Sequence, residues 1–105
     1  MQNISWPQNS FQASIEPNRK IDFTKLMNTL ASAFGGFSGI PDETVGFAIA
    51  SQMNANSVAP PSYNEIASWL EDRWDHLRSN EIVEIVNTII DSANNKLKTF
   101  AGYPS

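Results

Sequence analysis

The chain has 105 residues, 41% of them hydrophobic and only 17% charged, with seven basic against eleven acidic side chains for a net charge of −4. That length implies one domain with room for one core, and the charged share falls below the typical ~25%, replaced by neutral polar residues that repel neighbouring molecules weakly. The basic residues are scattered from Arg19 to Lys98, which disfavours a phosphate-tracking stripe and hence nucleic-acid binding, and the lack of cysteine excludes disulfides, thiolate metal sites and a cysteine nucleophile.

Residues 1–20 read as an extended or irregular N-terminal segment. Pro7 and Pro17 interrupt any helix, and Phe11 to Glu16 alternates apolar and polar residues as a strand does. Pro17-Asn18 suits a turn, so a short β-hairpin with Arg19 to Asp22 and an ordered tail without strand pairing are both open. Met1 to Ser10 lacks the basic-then-apolar layout of a secretory signal, and no apolar run approaches the ~20 residues of a membrane span. A cytoplasmic protein with no membrane partner is the expectation.

Residues 21–100 form the expected single helical domain, and 101–105 a short tail. Asp22 is placed to cap a first helix, because its carboxylate can accept from the free amides of the first turn. Phe23, Leu26, Met27, Leu30 and Phe34 then recur at helical spacing, and Gly35-Gly36 stops the helix. A second helix is expected from about Pro41 to Met53. Pro41 suits its first turn, and Asp42 and Glu43 lie near the positive end of its dipole. Its stripe is Val45, Ala48, Ile49 and Met53, with Phe47 pointing away among the small neighbours Gly46 and Ala50. No charged residue occurs from Thr44 to Asn64, so this helix is either central or covered by a partner.

Asn54 to Pro61 reads as a loop. Ser62-Tyr63-Asn64-Glu65 has the spacing of a capping box, and the helix it opens carries Ile66, Leu70, Trp74 and Leu77 on one stripe with Trp69 beside it. A break at Arg78-Ser79-Asn80 precedes a fourth helix, started by Ser79 or Asn80. Ile82, Val83, Ile85, Val86, Ile89, Ile90, Ala93 and Leu97 form its wide apolar stripe. The β-branched run from Ile82 to Ile90 also suits a buried strand, but its length and its period of three to four residues favour a helix. The fold class is therefore mainly α, a bundle of three to four helices with an irregular or hairpin N-terminal segment.

Nothing in this pattern assembles a catalytic site. Asp72 and His76, four apart, would share a helix face, but His76 is the sole histidine and a metal needs three or four converging ligands. Gly35-Gly36-Phe37-Ser38-Gly39 lacks the Lys-Ser/Thr ending of a phosphate loop. Pro60-Pro61-Ser62-Tyr63 matches the short Pro-Pro-x-Tyr ligand of WW domains, yet the same residues serve as a loop end and a helix cap. No enzyme activity, cofactor or metal is expected. Phe47, Met53, Trp69 and Trp74 are the candidate partner contacts, aromatic residues being enriched at interface hot spots. The long stripe of the last helix also suits pairing with a partner helix or with a second copy of the chain.

The layout resembles that of small bacteriophage tail assembly chaperones. The resemblance rests on a helix opening at Asp22-Phe23-Thr24-Lys25-Leu26, an apolar second helix, a later helix opening at Pro61-Ser62-Tyr63-Asn64-Glu65, and a final helix like Glu81-Ile82-Val83-Glu84-Ile85-Val86. It covers about residues 20–95 and is one of layout, without a diagnostic motif. It implies a non-enzymatic protein of the host cytoplasm whose partners are the tape-measure protein and the tail tube protein, and which keeps the apolar helices of the tape-measure protein soluble during tail assembly. A head–tail connector or other virion subunit has a similar helical layout. A small helical transcriptional regulator is a further alternative, but its recognition helix would need a basic face that the third and fourth helices lack.

Overall fold

The computed structural model describes residues 20–100. The alternating stretch Phe11 to Glu16, the turn at Pro17-Asn18 and the tail 101–105 lie outside the described residues. Four helices follow in order: α1 (Phe23–Phe34), α2 (Asp42–Asn56), α3 (Tyr63–Arg73) and α4 (Ser79–Phe100), with a single 3₁₀ turn (Phe37–Gly39) between α1 and α2. The fold is a small all-α bundle. Lys20 forms a parallel bridge with Ala59, and the Ile21 amide donates to the Ala59 carbonyl at 2.9 Å, tying the approach to α1 onto the α2–α3 loop.

The helix starts follow the sequence signals. Asp22 Oδ1 accepts from the Lys25 amide at 3.1 Å, and Gly35 closes α1 in the left-handed conformation, φ 76°. Phe34 was expected on the buried stripe but is 43% exposed. It is the last helical residue, and the two positive-φ glycines beyond it redirect the chain, so that Phe37 packs against the core instead.

Helix α2 starts one residue later than expected, with Pro41 in extended conformation at the cap, and runs on through Asn56. The extra turn is held by a hydrogen bond from Asn56 Nδ2 to Gln52 Oε1 at 2.8 Å, four residues apart, and closed by Ser57 in the left-handed region. Both halves of the capping box form at α3. Ser62 Oγ accepts from the Glu65 amide at 3.1 Å, and Glu65 Oε1 accepts from the Ser62 amide at 2.9 Å. At α4 the Arg78 carbonyl accepts the first helical amides, and Glu81 Oε1 accepts from the Arg78 amide at 3.0 Å. The β-branched run is helical throughout.

The core is one cluster. Its centre is Val45, Ile49, Ala50 and Met53 of α2 facing Val86, Ile89, Ile90, Ala93 and Leu97 of α4, with Ile66 and Leu70 of α3 and Phe23 and Met27 of α1 closing the sides. The α2–α4 contact dominates the fold. Gly46 and Ala50, expected beside Phe47 on the outer side of α2, are instead buried against α4. A Cβ built on Gly46 would lie 2.5 Å from the Ile89 carbonyl oxygen and 2.7 Å from the Ser92 Cβ. The two helices therefore approach at a seam of small residues that the apolar stripe alone does not reveal.

Candidate partner-binding surface

The four candidate contacts divide into two environments. Met53 is 0% exposed and Trp69 6%, so both belong to the core and offer a partner almost no surface. Their helical positions explain this: Met53 extends the Val45–Ile49 stripe, and Trp69, placed beside the α3 stripe by sequence, is enclosed by α1 and the 3₁₀ turn. Phe47 is 46% exposed and Trp74 half-buried.

Trp69 is the hub of an aromatic cluster. Its ring meets Phe23 of α1 at 5.6 Å, Phe37 of the 3₁₀ turn at 5.2 Å and Trp74 at 5.3 Å, each edge to face, the arrangement that ring quadrupoles favour. The Arg73 guanidinium lies over the rings of Phe37 and Trp69, 5.4 and 5.5 Å from their centroids. Helix α3 ends here, earlier than its apolar spacing suggests. Trp74 leaves the helical region, φ −135° and ψ 89°, while Trp74 and Leu77 pack on the core from the turn that follows. Asp72 and His76 consequently do not share a helix face, and among the described residues no group of three or more His, Asp or Glu side chains is placed to hold a metal ion.

A second cluster lies at the rim of the α2–α4 seam. The Lys96 ammonium sits 5.5 Å from the Phe47 ring centroid and 5.2 Å from that of Phe100, which is itself 38% exposed. Phe47 comes from α2 and the other two from α4, so the patch exists only when the helices are packed. Lys96 and Phe100 were not singled out in the sequence. Their spacing of four residues on α4 was legible, but their meeting with Phe47 depends on the helix pairing.

Two surface grooves accompany these clusters. One, of about 490 Å³, lies between the starts of α1 and α3 and is lined by Asp22, Phe23, Thr24, Asn64, Glu65, Ser68, Trp69 and Asp72. Two of its three carboxylates are already engaged: Asp22 caps α1, and Glu65 caps α3 and pairs with Lys20. Burial pushes the Glu65 carboxyl upward, but the hydrogen bonds from Lys20 and Ser62 and the lysine charge outweigh it and hold the group below its ordinary value of 4.5. The other groove, of about 330 Å³, runs between α1 and α2 past Lys25, Thr29, Gln52 and Asn56. The Pro60–Tyr63 segment is built into the fold, with Pro61 fully buried, Ser62 capping α3 and Tyr63 half-buried. No helix among the described residues is long and apolar enough to cross a membrane.

Comparison with protein-family models, with curated proteins and with solved structures yields no match.

Proposed function

We propose that this chain is a non-enzymatic assembly protein acting as phage tail assembly chaperones do, binding apolar helical stretches of a long tape-measure client until tube subunits polymerise around it. The observation that carries this reading is the exposed aromatic patch at the α2–α4 rim, where Phe47 and Phe100 remain open to solvent although the core beneath them is closed. Isolated exposed apolar residues are ordinary. Two phenylalanines converging on one site from different helices form a contact surface suited to an amphipathic helix. The uncharged run from Thr44 to Asn64 supports it, since a helix surface with few charges accepts an apolar partner at small desolvation cost. Trp74, at the edge of the aromatic cluster, is a second contact point on this reading.

The test is co-purification with fragments of a tape-measure protein encoded beside this chain. Phe47→Ala should weaken capture by roughly tenfold, the effect of an interface residue whose truncation costs more than ~1 kcal/mol, while the far-ultraviolet circular dichroism spectrum stays helical. Capture that is indifferent to Phe47 and Trp74 would remove the assignment.

A further inference from the structure

The rim patch carries a charge, the Lys96 ammonium. Among the described residues the ion pair is Lys20–Glu65, and no carboxylate is placed against Lys96. Its ammonium instead lies over the Phe47 and Phe100 rings, within 5.5 Å of both centroids. Ring faces attract a cation, but they leave its hydrogens without acceptors. The patch is thus an apolar surface holding one cation. A second copy of the chain would bring the same cation to the patch. A partner with a carboxylate beside its apolar face would complement both the rings and the ammonium.

Resting on the docking role proposed for this patch, we infer that its occupant is an acidic amphipathic helix. The helix sets apolar side chains against Phe47 and Phe100, with an Asp or Glu on the same face meeting Lys96. Lys96 acts as the specificity-determining residue. It contributes little to the apolar grip and discriminates between helices of equal hydrophobicity, as interface charges do.

The experiment uses the full chain and two synthetic helical peptides of ~20 residues, long enough to hold a helix. They share one apolar stripe and differ only in carrying Glu or Lys beside it. Binding is read by fluorescence anisotropy at low and high salt. The Glu peptide should bind about fivefold more tightly than the Lys peptide, the scale of a partly exposed ion pair. The preference should collapse at ~1 M salt, where the screening length is about 3 Å, and Lys96→Glu should invert it. Phe47→Ala should weaken both peptides while the preference persists. Equal binding of the two peptides, with Phe47→Ala still weakening both, overturns the acidic-partner inference and leaves the docking role standing. Binding of neither peptide, or binding indifferent to Phe47, overturns both. Phe47-dependent self-association in place of peptide binding overturns the inference in favour of a second copy as occupant.

Discussion

Gly46 occupies the middle of α2, where a glycine costs about 1 kcal/mol relative to alanine because of its conformational freedom. Its φ is ordinary, so backbone strain does not require it. Close approach does. A Cβ there would meet the Ile89 carbonyl at 2.5 Å and the Ala93 amide nitrogen at 2.9 Å, and both are backbone atoms that cannot swing aside. Helix propensity and packing therefore predict opposite signs for Gly46→Ala. Packing should win, because relieving a backbone clash means prising α2 from α4, the contact that dominates the fold. The expected outcome is a net destabilisation of about 1–3 kcal/mol, typical of overpacked cores, seen as a lower midpoint in urea. Ala48→Gly, a half-buried position on the same helix, should cost only about 1 kcal/mol through propensity.

At the scale of the element, the start of α3 is where pH acts on stability. The Glu65 carboxyl is held below 4.5 in the folded chain, so below that value the unfolded chain binds more protons and stability falls with falling pH. Its contribution is whole above about 4.5 and is lost as pH drops through the depressed folded value. Asp42, in the first turn of α2, runs the other way. Burial, then the neighbouring Glu43 charge, raises its pKa, so its ionised form opposes folding and acidification relieves it. Urea midpoints from about pH 3 to about pH 7 should show a shallower acid limb for Glu65→Gln and a steeper one for Asp42→Asn. Ser62→Ala should cost about 1 kcal/mol by removing the cap acceptor. These caps also explain which elements were legible. Asp22, Ser62 and Glu65 act through neighbours three residues away, and a sequence displays such local bonds directly. The end of α3 depends on Trp74 folding against Trp69, and the length of α2 on a non-glycine residue closing the helix, so neither carried the usual glycine or proline mark.

At the scale of the whole molecule, the same distinction separates the candidate contacts. Hydrophobic periodicity identified Met53 and Trp69 as large apolar side chains. Only the enclosure of α3 by α1 and the 3₁₀ turn decided that Trp69 lies within, and only the α2–α4 pairing decided that Phe47, Lys96 and Phe100 share a patch. That patch bears on assembly state. Specific, stable interfaces bury about 800 Å² per partner, far more than two half-exposed rings and a lysine stem supply. Self-pairing through it alone should be weak, whereas on the proposed chaperone reading a long client would engage many copies along its length, each contact strengthening the next through effective concentration. Sedimentation at micromolar concentration should therefore find the isolated chain as a single protomer and its sedimentation coefficient unchanged by Phe47→Ala. On that proposed reading, adding a tape-measure fragment should shift the wild type to a faster species and the Phe47 variant much less. A closed ring formed without any client would instead mark a connector subunit, because a connector must hold its neighbours through a large heterologous surface, and the chaperone reading would then give way.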